Sequence, residues 1–172
     1  MRFFAVLLGL SALLAAGPVL AGSSALSVEA NAAFLAANAA KPGVIVRPSG
    51  LQYRIVHNGF GKRPGPLDTV TVYYTGSLIN GNVFDGTEPG LPAQMKVTEV
   101  IPGWTEALSL MREGDQWQIV IPANLAYGAR GAGNGAIPPN QTLIFDLTLV
   151  AVTPYKEPPK QDDESSSGSG AY

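Results

Sequence analysis

The stretch Thr69 to Phe84 constrains this chain more than any other part of it. From Thr69 to Ile79 the residues alternate: Val70, Val72 and Tyr74 fall on one face of an extended strand, and Thr69, Thr71 and Tyr73 on the other. A helix, with a period of 3.6 instead of 2, would scatter both sets around its surface. Asn80-Gly81 is then a strong hairpin signal, and Val83-Phe84 begins the return. A long two-faced strand with an antiparallel neighbour has to bury its apolar face, so the fold contains a sheet with a core against one side.

The surrounding segments supply the rest of that sheet. Leu51 to Val56 alternates and reads as a strand; Ala93 to Val97 is a short one. Gln116 to Ile121 and Thr142 to Val152 are two more, and in the last Leu143, Phe145, Leu147 and Leu149 share a face. Pro102 to Met111 has helical spacing instead, with Trp104, Leu108 and Met111 on one side and Arg112 to Gly114 as the stop. Antiparallel strands around one short helix predict an α+β domain over residues 44–153.

Three flanking segments differ from this body. Residues 1–21 carry Arg2, an apolar run from Phe3 to Leu14, and Val19-Leu20-Ala21 at a cleavage site, which is the pattern of a secretory signal peptide. An exported destination, periplasmic or secreted, with no membrane span once that signal is removed, is the expectation. Residues 22–43 predict a helix from Val28 capped by Ser27, with a weak stripe of Leu26, Phe34 and Leu35, stopped by Pro42-Gly43. So short a helix is marginal alone in water, so it docks on the domain or on a second copy of the chain. A monomer is the favoured expectation, with a dimer through this helix as the alternative. Residues 154–172 are rich in Pro, Ser, Gly and acidic groups and read as a disordered tail.

Composition narrows the chemistry. With no cysteine there is no disulfide, thiolate nucleophile or Cys-bound metal, and the single histidine, His57, rules out the usual multi-His metal sites. A formal net charge of −2 argues against nucleic acid as a partner. Gly131-x-Gly133-x-x-Ala136 matches a loose dinucleotide pattern, but Ile137-Pro138-Pro139 follows where a helix would be needed. No cofactor is expected. His57 beside Asn58-Gly59 reads as an exposed turn residue, and Asp146 as a solvent-facing one. Asp85, directly after Phe84, is the better functional candidate among the carboxylates, since an acid among apolar residues needs a partner. Tyr73, Tyr74, Phe84, Trp104, Trp117, Tyr127 and Phe145 are many aromatics for a small domain that lacks a nucleophile, and they point to an apolar binding pocket.

Six motifs occur in order: Tyr73-Tyr74-Thr75-Gly76, Asn80-Gly81-x-x-Phe84-Asp85, Val100-Ile101-Pro102-Gly103-Trp104, Ala126-Tyr127-Gly128, Ile137-Pro138-Pro139-Asn140 and Leu143-x-Phe145-Asp146-x-x-Leu149. Together they make the chain resemble an FKBP-type peptidyl-prolyl cis-trans isomerase over about 65–153. Asn38 to Val44 and Ser49-Gly50-Leu51-Gln52-Tyr53 are similar to the bacterial, Mip-like branch.

The resemblance implies a twisted antiparallel sheet of about five strands wrapped around one short helix, with a pocket between them. It implies that Tyr74, Phe84, Val100, Trp104, Ile137 and Phe145 bind substrate, with Trp104 as the floor. Asp85, the Ile101 backbone N–H and the Tyr127 hydroxyl would act on the prolyl bond and its flanking carbonyls. Met95 stands where the family usually has an aromatic, which predicts a softer wall. The implied partners are proline-containing polypeptides, with macrolide immunosuppressant-type ligands for the same pocket. A non-catalytic chaperone or surface binding protein using the same groove is the alternative.

Overall fold

A computed structural model describes residues 24–157, and the expected signal peptide lies outside them. The tail expected over 154–172 also lies outside them, save for residues 154–157. Helix α1 (Val28–Ala39) comes first. It is followed by strands β1 (Ile45–Val46), β2 (Gln52–His57), β3 (Thr69–Leu78), β4 (Val83–Gly86) and β5 (Ala93–Lys96). Helix α2 (Pro102–Leu110) and strands β6 (Gln116–Ile121) and β7 (Leu143–Thr153) complete the order. All seven strands join one antiparallel sheet, ordered β1-β2-β6-β7-β3-β4, with β5 sharing the outer edge of β3 beside β4. The sheet is therefore larger than the five or so strands expected. The strand not named from the sequence is β1, only two residues long; β4 is the hairpin return that Val83-Phe84 begins. Two residues carry too little periodic sequence to announce a strand.

The alternation in β3 is realised as burial. Val70, Val72 and Leu78 are buried, while Thr69, Thr71 and Tyr73 are only half covered. Leu143, Phe145, Leu147 and Leu149 of β7 are buried on the same side, and the β3–β7 register sets Gly76 opposite Phe145 and Leu78 opposite Leu143. A bulge between Thr71 and Val72 leaves Val150 exposed before Val152 turns back into the core. The hairpin turn occupies residues 79–82, where the Gly81 N–H reaches the Leu78 carbonyl at 2.9 Å and Gly81 takes φ +88°, a region that disfavours any side chain.

Helix α2 packs into the core on one face of the sheet. Pro102 sits in its first turn, where a missing N–H costs nothing, and Ile101 is its N-cap. Trp104, Ala107, Leu108 and Met111 are all buried in one core cluster with Val72, Ile119, Ile121 and Leu147 of the sheet. Fully burying a side chain the size of Leu108 or Met111 contributes about 1.5–3 kcal/mol, so this one face is a substantial part of the core.

Helix α1 is capped by the Ser27 hydroxyl, which accepts from the Ala30 N–H at 3.1 Å. Its docking face differs from the expected apolar stripe. The buried residues are Asn31 and Asn38, seven apart on one side. Asn31 donates to Gln141 Oε1 (3.2 Å) and accepts from the Thr142 N–H (2.7 Å), and Gln141 in turn donates to the Leu26 carbonyl (3.0 Å). Asn38 donates to Gln52 Oε1 (2.9 Å), and Gln52 donates to the Leu35 carbonyl (3.0 Å). Leu26 packs at the core's edge, but Phe34 stays half exposed beneath the Lys41 ammonium. Polar ladders hold α1 to the chain's own domain. No helix among the described residues is long and apolar enough to cross a membrane.

Candidate functional site

A cavity of about 430 Å³ opens between the start of α2 and strands β3, β4, β5 and β7. It is lined by Tyr74, Phe84, Asp85, Met95, Glu99, Val100, Ile101, Trp104, Tyr127 and Phe145. Nine of these are among the ten residues singled out from the sequence. The tenth, Ile137, is a buried core residue (6 % exposed) and is not part of the lining; its backbone instead pairs with Ala132 at the base of the glycine-rich loop.

Aromatic rings build the walls edge to face. Trp104, 3 % exposed, meets Tyr74 at 5.1 Å between centroids and Phe145 at 5.2 Å, each nearly perpendicular. Phe84 meets Phe145 at 5.7 Å in the same way. Such pairs add about 0.5–1.5 kcal/mol beyond their buried area and fix the rings in place. Gly76 makes room for them. A Cβ at that position would lie 2.7 Å from a Phe145 ring carbon and 2.8 Å from two of Phe84. The glycine of the Tyr-Tyr-Thr-Gly motif is thus a steric requirement of the cavity wall.

One polar pair lies among these rings. The Tyr74 hydroxyl donates to Asp85 Oδ2 at 2.7 Å, and the Gly86 N–H donates to Asp85 Oδ1 at 2.9 Å. Burial, then the hydrogen bond to Asp85 and the charge of that carboxylate, push the Tyr74 hydroxyl up to about 12. The Asp85 carboxylate is therefore anchored at both oxygens while its residue remains exposed at the mouth. Ile101 gives its carbonyl to the N–H groups of Trp104 and Thr105, and among the described residues no backbone carbonyl accepts from its own N–H. Ile101 is the N-cap of α2, where backbone N–H groups lack intrahelical partners, and it is one of the residues lining the cavity. Tyr127 is 41 % exposed, on the short turn that begins the glycine-rich loop. Met95 packs against the core edge from β5.

Glu99 lines the cavity without having been singled out from the sequence. It ends the single helical turn Val97–Glu99 and pairs with the exposed Lys96 at 2.8 Å. Its position directly before Val100 and Ile101 was the available signal. His57 and Asp146 are exposed, away from this lining; Asp146 accepts from Gln118 at 3.0 Å. Among the described residues no group of His, Asp and Glu is placed to hold a metal ion.

Comparison with known proteins bears on this geometry. A family model described as FKBP-type peptidyl-prolyl cis-trans isomerase matches residues 61–150. The chain belongs to the FKBP-type family. A second model, for the domain amino-terminal to FKBP-type isomerases, matches residues 21–55. The chain is 59 % identical over 121 residues to the outer membrane protein MIP of Legionella longbeachae, covering 70 % of this chain and 52 % of that protein. It is 49 % identical over 120 residues to the FKBP-type 22 kDa peptidyl-prolyl cis-trans isomerase of Escherichia coli, covering 69 % of this chain and 58 % of that one. This FKBP-type chain thus spans little more than half the length of these curated relatives. Among solved structures, the peptidyl-prolyl cis-trans isomerase of Pseudomonas syringae superposes with a TM-score of 0.69 at 38 % identity, covering 74 % of this chain and 93 % of that one. FkpA of Escherichia coli superposes with a TM-score of 0.70 at 40 % identity, covering 73 % and 59 %.

Proposed function

We propose that this chain is a peptidyl-prolyl cis-trans isomerase that rotates X–Pro bonds in exported proteins, using the aromatic cavity over Trp104. The observation that carries the reading is the combination of an apolar, edge-to-face aromatic enclosure with one anchored carboxylate and one unengaged backbone donor at its rim. Rotation about the prolyl amide breaks its resonance and costs roughly 18–20 kcal/mol in water. The twisted imide is less charge-separated than the planar one, so an apolar site stabilises it selectively. In this reading the prolyl ring lies against Trp104, between Tyr74, Phe84 and Phe145. The Ile101 N–H and the Tyr127 hydroxyl hold the flanking carbonyls. Asp85, fixed by Tyr74, faces the twisting imide. Lowering the barrier by about 7 kcal/mol would speed rotation roughly 10⁵-fold. No bond to the enzyme forms, so the reaction calls for no nucleophile.

The clients in this reading are proline-containing chains outside the cytoplasm, in a bacterial envelope or secreted. The sequence pattern of residues 1–21 and the envelope naming of the Legionella relative support export. The polar docking of α1 on its own domain supports a monomer.

A protease-coupled assay on a short proline peptide tests the activity. The relaxation rate is expected to rise in proportion to protein added, and no rise above the uncatalysed rate overturns the proposal. Asp85→Ala is expected to lower kcat/KM while leaving the denaturation midpoint near that of the parent; unchanged turnover would remove this cavity from the reaction.

A further inference from the structure

A second groove, of about 570 Å³, lies at the opposite end of α2 from the aromatic cavity. Its floor and rim are Ile55, Leu110, Trp117 and Phe60, flanked by Arg63 and Arg112. Phe60 is 92 % exposed, which is unusual for a large aromatic. It is not displayed by a loose loop. The Gly59 N–H donates to Asp115 Oδ1 (2.5 Å) and the Gly61 N–H to the Glu113 carbonyl (3.1 Å). The Glu113 N–H returns a bond to the Lys62 carbonyl (2.9 Å). Phe60 is therefore held out in water on both sides by tied backbone.

The charges beside it are equally unspent. Arg63 makes one long contact to the Ser109 carbonyl (3.4 Å) and Arg112 one to the Gly61 carbonyl (3.3 Å). Among the described residues neither guanidinium has a carboxylate within ion-pair distance. The one carboxylate of the lining, Asp115, is buried, and accepts from the Gly59 and Arg112 N–H groups, so it braces the loop. Each arginine presents up to five donors in a planar fork suited to carboxylates.

We propose that this groove binds an acidic polypeptide segment of a partner protein, with an aromatic or leucine side chain seated against Phe60, Ile55 and Trp117 and flanking carboxylates on Arg63 and Arg112. Charge complementarity selects that occupant: two guanidiniums in one groove without carboxylate partners ask for acids, and the apolar floor asks for a side chain that a free anion lacks. Nothing in this requires a proline, so the groove is a site separate from the aromatic cavity.

The test is an amide-shift titration of the full chain with a short proline-free peptide carrying acidic residues on both sides of a Phe. Shifts confined to residues 55–63 and 110–117 are expected. Arg63→Gln with Arg112→Gln should weaken binding by roughly tenfold, through loss of two charge-assisted contacts. Phe60→Ala should weaken it several-fold. Both variants should keep the parent's turnover of a short proline peptide and its denaturation midpoint. The proposal is overturned if a lysine-for-acid version of the peptide binds as well, or if the arginine double variant binds unchanged. It is also overturned if inorganic phosphate alone reproduces the shifts, or if they appear at the aromatic cavity instead. Binding seen only with a chain ended after Glu157 would assign the groove to the chain's own Asp162-Asp163-Glu164 and likewise overturn it.

Discussion

Replacing Gly76 by alanine should damage the cavity more than the fold. The added methyl would sit 2.7–2.8 Å from ring carbons of Phe145 and Phe84, roughly an ångström inside ordinary carbon contact. Neither ring can yield freely. Phe145 is 4 % exposed and wedged against Trp104, and Phe84 stands edge-on to Phe145. Overpacking of this kind costs about 1–3 kcal/mol. For a domain of this size that lowers Tm by about 4–8 °C per kcal/mol. The same ring movement misplaces the enclosure for the prolyl ring, and geometric errors near an ångström cost up to about a hundredfold in rate. Gly81→Ala is the matched control: nothing lies within 4 Å of its Cβ, but φ +88° makes a side chain strained by about 1–2 kcal/mol. Urea denaturation and kcat/KM on a proline peptide should therefore separate the two. Gly81→Ala loses stability and keeps turnover; Gly76→Ala loses both. If Gly76→Ala is destabilised yet turns over at the parent's rate, ring placement does not govern the chemistry and the steric account of the motif fails.

Three further outcomes follow from particular contacts. The Tyr74 hydroxyl, raised to about 12 from 10, favours the folded state while protonated, so its contribution is complete below pH 10 and is lost between pH 10 and 12. Ultraviolet titration should show a late tyrosine transition that Tyr74→Phe removes; Asp85→Asn should lower its midpoint only in part, because burial is the larger cause. Glu113 is held below its ordinary range by the N–H groups of Val152 and Lys62, so its contribution is present above pH 4.5 and lost as pH falls further. Urea midpoints of Glu113→Gln and the parent should differ at pH 6 and converge towards pH 3; a constant gap would refute the assignment. Asn31→Ala leaves the buried Thr142 N–H and the Gln141 carboxamide without this partner, at a cost of about 1–3 kcal/mol. Hydrogen exchange should then show α1 losing protection ahead of β3 and β7; unchanged protection would mean the ladder is not what docks the helix.

Much of the architecture is legible before folding because it is written in local period. Val70, Val72 and the Leu143 to Leu149 set announce their strands, and Trp104, Leu108 and Met111 their helix. The shortest strand is not legible, since two residues at Ile45–Val46 carry no period. Nor is the docking face of α1. Its Phe34 and Leu35 look like the contact, whereas Asn31 and Asn38 are the buried residues of the helix, with partners such as Gln141, 110 residues away; of the expected stripe, Leu26, just ahead of the helix, packs at the core's edge. The same limit hid Glu99 and kept Ile137 apparently in the cavity: a motif names a neighbourhood, and side-chain direction within it depends on the strand or turn that carries it.

From composition and motif order come the class of the domain, its family resemblance, and the exclusion of thiol nucleophiles, Cys-bound metals and multi-His sites. Those are properties of residue type and short-range spacing, which the backbone enforces on its own. Convergence is different. Tyr74 and Asp85 meet because β3 and β4 pair, Phe145 joins them because Gly76 leaves space in the β3–β7 register, and Trp104 arrives from a helix packed across the sheet. Each of those meetings depends on long-range burial and on closing loops of the chain, so only the assembled core can set its distances.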